Sequence, residues 1–185
     1  MTIERSRIDS PLGPIAIAVA DRALCGLDFI DSEPRTDTGR RRPPRVPDPP
    51  PVGARPGPAG RRIAERIAAY FDGDLAALDG VEVAPAGTPF QLRVWAELRR
   101  IRAGQTRSYQ ELAAIIGAPA ATRAVGAANG RNPISLVVPC HRVIASDRRL
   151  HGYGGGLWRK EWLLRHEGAL PRGLFDGRGA TLTSS

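Results

Sequence analysis

Cysteine and lysine are scarce in this chain of 185 residues, which has two of the first and one of the second. Cys25 and Cys140 lie far apart with no further cysteine near either, so neither a disulfide framework nor a cysteine-based zinc spacing is present. Long apolar runs are also missing. None approaches the ~20 residues that cross a bilayer, and the start, Met1-Thr2-Ile3-Glu4-Arg5-Ser6-Arg7, lacks the apolar stretch of a secretory signal. A cytoplasmic location with no membrane partner is the expectation. Acidic charge falls short as well: 19 Asp and Glu face 27 Lys and Arg, a net charge of +8. Such an excess suits a polyanionic partner, because cations that displace counterions from phosphates gain affinity. It equally suits a GC-rich genome, since Lys160 is the only lysine and the remainder is arginine.

What is present reads as a globular chain, with 42% hydrophobic and 25% charged residues. Residues 1 to 31 predict strands: turn formers in Ile8-Asp9-Ser10-Pro11-Leu12-Gly13-Pro14 precede two β-compatible runs, 15–20 and 23–30, separated by Asp21-Arg22. Cys25 falls inside the second run as a core residue. From Pro34 to Gly60 the pattern collapses, for nine of the seventeen prolines lie there together with Arg40-Arg41-Arg42. A segment of this kind buries too little to offset its ordering entropy and reads as a linker. Helical spacing returns over 61–71, with Ile63, Ala64, Ile67, Ala68 and Phe71 on one face. Thr88-Pro89-Phe90-Gln91 is a capping box with proline at the first helical position, followed by a stripe of Phe90, Val94, Leu98 and Ile101 with Trp95 alongside. The domains expected are therefore 1–87, including the linker-like 34–60, then 88–170, with a tail over 171–185.

Ser108-Tyr109-Gln110-Glu111 is a second capping box, opening a helix with Leu112, Ile115 and Ile116 inward and Gly117 as its left-handed stop. Ala118-Pro119 starts another helix, predicted over 120–129 and closed by Gly130. Two short helices across a tight turn match a helix-turn-helix, and match an ordinary helical hairpin equally well. In the second helix Ala121, Thr122, Arg123, Ala127 and Asn129 are the exposed candidates. Its small residues, Ala124 and Gly126 among them, suit close backbone approach to a minor groove better than base reading through a major groove. Beyond it, the apolar run Ile134 to Val138 reads as a buried strand leading to Pro139-Cys140-His141-Arg142-Val143. A thiol beside an imidazole is either a small core hydrophobe or a nucleophile with its base, and adjacency alone leaves both open.

Taken together, residues 88 to 168 resemble the C-terminal domain of the O6-alkylguanine-DNA alkyltransferases, the methylated-DNA–protein-cysteine methyltransferases. The motifs are Gly87-Thr88-Pro89-Phe90-Gln91, Arg93-Val94-Trp95, Arg107-Ser108-Tyr109, Arg123-Ala124-Val125-Gly126, Asn129-Gly130-Arg131-Asn132-Pro133, Pro139 to Val143, Gly152 to Gly156 and Leu163-Leu164-Arg165-His166-Glu167. The N-terminal part resembles the family's first domain more loosely. The implied fold is α+β, a small β-rich, ribonuclease-H-like domain followed by a helical domain of winged helix-turn-helix type. The implied activity is DNA repair: irreversible, single-turnover transfer of the alkyl group of O6-methylguanine, or of O4-methylthymine, to Cys140.

Residue by residue, the resemblance implies that His141 takes the thiol proton, that Glu167 orients the imidazole and that Asn132 braces the turn before the cysteine. Tyr109, Val143, Tyr153 and Gly154 would line the pocket for the extruded base. Arg123 would fill the gap left in the base stack, with Ala121, Thr122, Ala124, Gly126, Ala127 and Asn129 against the DNA. No cofactor or metal is expected, because the family's N-terminal zinc site needs cysteines and histidines this chain lacks. Its partner would be double-stranded DNA containing O6-alkylguanine, bound by a monomer, with cooperativity along DNA left open. The chain departs from the family pattern at Arg102, where proline is common, at Gly154, where some members carry serine, and in 34–60. A lesion binder without transfer, a cysteine hydrolase and a helix-turn-helix regulator are the competing readings. Cys140 opposes the first, Arg123 and the helix pair the second, and the small-residue second helix the third.

Overall fold

The computed structural model describes residues 3–30, 56–150 and 152–171. Three antiparallel strands open the chain, β1 (Ile3–Ile8), β2 (Ile15–Ala20) and β3 (Ala23–Phe29), in the order β1-β2-β3. The β2–β3 hairpin turns on Asp21 and Arg22, both with positive φ (47° and 74°). That geometry matches the right-handed twist of the flanking strands. Alternate residues Ile15, Ile17 and Val19 enter the main core with Leu24, Leu27 and Phe29. Ala16 and Ala18 face the other way, where Cys25 packs only half-buried against them. The expected core cysteine thus lies on the thinner side of the sheet, its Sγ–H donating to the Ala18 carbonyl at 3.2 Å.

Helix α1 (Pro58–Phe71) covers the sheet. It begins three residues earlier than the sequence suggested, because Pro58 occupies the first turn, where its missing N–H costs nothing. Its buried stripe is Gly60, Ile63, Ile67 and Tyr70, with Ala68 exposed and Phe71 half-buried. The linker expectation for 34–60 otherwise falls on residues outside those described, as does nearly all of the expected tail.

The C-terminal helices share the same core. Helix α2 (Pro89–Leu98) starts at the predicted capping box, with Thr88 Oγ1 accepting from Gln91 N. Its Trp95 Nε1 donates to the Ala128 carbonyl at 2.9 Å. A short strand, β4 (Arg107–Ser108), pairs in parallel with β5 (Val143–Ile144) and runs straight into α3 (Tyr109–Ile115), again through the predicted box. Ile115 is 55% exposed, against expectation. The buried face of α3 centres on Leu112 and Ala113, and Ile115 lies roughly 100° around the helix from that centre. Gly117 has φ +72° and ends the helix as expected. The second helix of the pair begins as a 3₁₀ turn, Pro119–Ala121, and becomes α-helical only in α4 (Thr122–Gly130). The last helix is α5 (Leu157–His166).

Ile134 to Val138 is buried as predicted but is not a strand. Its backbone bonds are local, Val137 N to Ser135 O and Val138 N to Ile134 O, and Leu136 takes φ +72°. The run meets the sheet at one point: Leu27 N donates to Pro133 O (2.9 Å) and Ser135 N donates to Leu27 O (3.0 Å). Likewise Leu24 exchanges bonds with Glu82 and Ala84. The outer edge of β3 is closed by the very segments that lead to α2 and to the cysteine turn, which satisfies an edge that would otherwise be open for pairing.

Ile67, fully buried between sheet and helices, measures how firmly this scaffold is seated. Ile67→Ala is expected to lower the unfolding free energy by about 2–5 kcal/mol, read from urea denaturation.

Candidate active site

Cys140 heads a single 3₁₀ turn, Cys140–Arg142. The loop before it is shaped by Asn132, which is fully buried. Its Nδ2 donates to Val138 O at 2.7 Å and Ile134 O at 3.4 Å, and its Oδ1 accepts from Ile134 N at 3.0 Å. One side chain replaces the partners that a neighbouring strand would have supplied. Asn129 reaches the same turn, Nδ2 donating to Cys140 O at 3.4 Å. Cys140 itself is 2% exposed.

The carboxylate opposite is Glu167, the residue that caps α5 and also buried. A negative charge at a helix C-terminus is opposed by the helix dipole, and desolvation opposes it further. Four donor contacts overcome both. Oε1 accepts from His141 Nε2 (3.0 Å), Arg142 Nη2 (2.8 Å) and the Tyr70 hydroxyl (2.7 Å), and Oε2 accepts from Arg142 Nε (2.9 Å). Arg142 Nη1 also bonds the Ile101 carbonyl. Burial alone would raise the Glu167 pKa, but the His141 and Arg142 interactions outweigh it and hold the carboxyl well below its ordinary range. Burial lowers the pKa of His141 despite the neighbouring carboxylate, so the imidazole is neutral. An ionised carboxylate only accepts, hence Nε2 carries the proton and Nδ1 presents its lone pair. That buried Nδ1 has no hydrogen-bond partner among the described residues. A neutral imidazole with a fixed tautomer and an open ring nitrogen can accept a proton.

Among the other expected site residues, Tyr153 lies against this centre. Tyr153 is buried with its ring centroid 6.3 Å from that of His141, edge to face, and Gly154 beside it is half-buried. The neighbouring Gly155 leaves no room for a side chain, since a Cβ there would lie 2.8 Å from Tyr153 and 3.0 Å from Phe29. Arg159 fastens this loop to the N-terminal part, Nε bonding Leu12 O at 2.8 Å and Nη1 bonding Gly155 O at 2.7 Å. Val143 is buried, and its carbonyl accepts from Nζ of Lys160 at 2.7 Å. Tyr109, half-buried, follows β4 directly and so stands beside the strand that follows the cysteine. On α4, Arg123, Ala124 and Ala127 are exposed, while Ala121, Thr122 and Gly126 are half-buried. Asn129 is a correction: it is 3% exposed and turned toward Cys140, one helical face away from the surface it was expected to share. Tyr70, Arg142 and Lys160 were given no role from sequence. Only the spacing of Tyr70 behind Ile63 and Ile67 hinted that it is buried.

Two buried groups with depressed pKa values make stability pH-dependent. His141 is protonated in the unfolded chain below its ordinary 6.5 but resists protonation when folded, and Glu167 behaves likewise below 4.5. The unfolded state therefore binds more protons as pH falls, so stability present at pH 7 is lost first below about 6.5 and again below about 4.5. Glu167→Gln, which strands the Arg142 guanidinium, is expected to cost about 3–5 kcal/mol at pH 7. That deficit should shrink as urea denaturation is repeated from pH 5 down to pH 3.

Residues 89–169 match the family model of the 6-O-methylguanine DNA methyltransferase, DNA binding domain. A methylated-DNA–protein-cysteine methyltransferase of Salmonella typhimurium is 59% identical over 108 residues, which cover 58% of this chain and 63% of that protein's length. One of Mycolicibacterium paratuberculosis is 46% identical over 167 residues, covering 89% and 92% of the two chains. The crystal structure of a Mycobacterium tuberculosis protein of this kind in complex with DNA superposes with a TM-score of 0.70, at 41% identity, over 88% of this chain and 91% of that one. The chain belongs to the methylated-DNA–protein-cysteine methyltransferase family.

Proposed function

We propose that this protein repairs alkylated DNA by moving the alkyl group of O6-methylguanine, with O4-methylthymine as a second lesion, onto Cys140. The observation that carries the reading is the Glu167–His141 hydrogen bond, which fixes a neutral imidazole beside the only buried thiol among the described residues. His141 Nδ1 takes the thiol proton through a water, and sulfur attacks the methyl carbon in line with the departing O6. The carbon–oxygen bond breaks as the carbon–sulfur bond forms. The proton given up by the thiol is balanced by one delivered from the Tyr109 hydroxyl to a ring nitrogen of the leaving guanine. Thiol and methyl ether become thioether and the ring N–H, oxo form of guanine, and the proton held by His141 returns through solvent to the Tyr109 oxygen, so the reaction balances without a cofactor. A thioether has no easy route back, which makes the protein a reagent consumed once.

The methylated oxygen is buried in duplex DNA, so the nucleotide must rotate out of the stack before sulfur can reach it. The helix pair α3–α4 serves as the helix-turn-helix of a winged domain over 88–170. The exposed small residues Ala124 and Ala127 let the α4 backbone approach a minor groove. Arg123 enters the stack in place of the base. Residues 1–87 form the ribonuclease-H-like domain, and the protein acts in the cytoplasm as a monomer on double-stranded DNA. Tyr153, Gly154 and the backbone of Val143 form the wall around the extruded base.

Incubation with an O6-methylguanine oligonucleotide is expected to add about 14 Da, one CH₂, to the peptide containing Cys140. Cys140→Ala should gain no mass while still shifting DNA in a gel, and methylation of that variant would remove the proposal. Arg123→Ala should slow reaction with duplex DNA by roughly ten-fold or more while leaving reaction with the free base nearly unchanged. The second-order rate constants on the two substrates decide this.

A further inference from the structure

One of the three donors to Glu167 Oε1 comes from the opposite end of the fold. Tyr70 lies 97 positions earlier in the chain, on α1, and its hydroxyl donates at 2.7 Å in a fully buried setting. The phenol is held along its whole length. His166 Nε2–H donates to the Tyr70 backbone carbonyl at 2.7 Å, and the two rings meet edge to face with centroids 5.1 Å apart. His166 in turn stacks on Trp162, 4.9 Å away and 19° from parallel, and Phe71 closes the cluster against Trp162 at 5.8 Å. The last turn of α1 and the last turn of α5 are thereby locked together, with Glu167 next in sequence to the locking residue.

We propose that Tyr70 is a positioning residue for alkyl transfer, its hydroxyl fixing the orientation and charge of Glu167 and, through it, the basicity of His141. The inference rests on Cys140 being the alkyl acceptor with His141 as its base. An ionised carboxylate offers about four acceptor sites. Arg142 supplies two donors and His141 one, and Tyr70 is the fourth, sharing Oε1 with His141 Nε2 and Arg142 Nη2. Each donor that disperses the carboxylate charge weakens its hold on an imidazolium, so Tyr70 and Arg142 keep His141 a neutral base while Glu167 still orients it. Burial and then the Glu167 charge push the Tyr70 phenol far above its ordinary range, so it stays a donor throughout. The other groups facing the pair are Lys160 from α5 and Tyr153 from the glycine loop, with His166 behind Tyr70.

Tyr70→Phe removes the hydroxyl and keeps the ring. With one donor fewer, Glu167 stabilises imidazolium better, so the His141 pKa should rise by about half a unit or more. The acid limb of the transfer rate moves to higher pH by the same amount, with a roughly three-fold or greater loss of rate on that limb. Phe71→Leu is the control, loosening the same cluster without touching Glu167. Both variants should unfold at lower temperature, but only Tyr70→Phe should move the imidazole titration, followed by ¹⁵N chemical shifts of His141, and the rate profile. An unmoved titration in Tyr70→Phe, or an equal shift in both variants, overturns the proposal. Since the titration needs no alkyl transfer, it judges Tyr70 even if the wild-type protein fails to alkylate Cys140, which is the separate outcome that would end the reading of function.

Discussion

A single carboxylate charge kept out of water at the end of α5 governs much of this architecture. Glu167 is disfavoured there twice, by the helix dipole and by desolvation, and it remains ionised only because Tyr70, His141 and Arg142 converge on it. Those donors come from α1 and from the cysteine turn, and the acceptor from α5. The three segments must therefore meet in one place for the charge to survive. Replacing such a cluster with well-packed apolar groups is often neutral or even stabilising. Its presence makes sense as chemistry more than as reinforcement, since what it secures is the tautomer and protonation state of one imidazole.

The scaffold brings those segments together through backbone register. Leu27 bonds both Pro133 and Ser135, so the edge of the N-terminal sheet sets where the loop before Cys140 begins. Asn132 sets how that loop curves, and the parallel pairing of Arg107 with Val143 sets where Tyr109 enters relative to the strand that leaves the turn. Backbone pairing of this sort moves in whole-residue steps, so the site is located by discrete choices and only finely adjusted by side-chain packing. Arg159 adds a side-chain version of the same arrangement, tying Leu12 to the glycine loop.

Features whose causes are local were legible before any coordinates. The capping boxes at Thr88 and Ser108, the turn at Asp21-Arg22 and the stop at Gly117 each depend on residues within one turn of each other, and each is where the pattern put it. The Cys140–His141 adjacency and the turn role of Asn132 belong to the same class. Ile134 to Val138 was misread because an apolar run shows burial without distinguishing a strand from a packed loop. Ile115 and Asn129 were misplaced because a helix a few residues long has its buried face set by its neighbours. Tyr70 and Arg142 stayed silent for a different reason. Their importance lies in what they touch across the fold, and nothing in a helix stripe or in the string Pro-Cys-His-Arg-Val tells which carboxylate will be there.

The one amine-bearing side chain, Lys160, is sealed inside against the Val143 carbonyl. All other cationic side chains are guanidinium groups, which hold their proton beyond pH 12. The positive charge that side chains place on the surface is therefore insensitive to alkalinity up to about pH 12. Acylating reagents, chemical or enzymatic, find no accessible side-chain amine among the described residues on which to erase it.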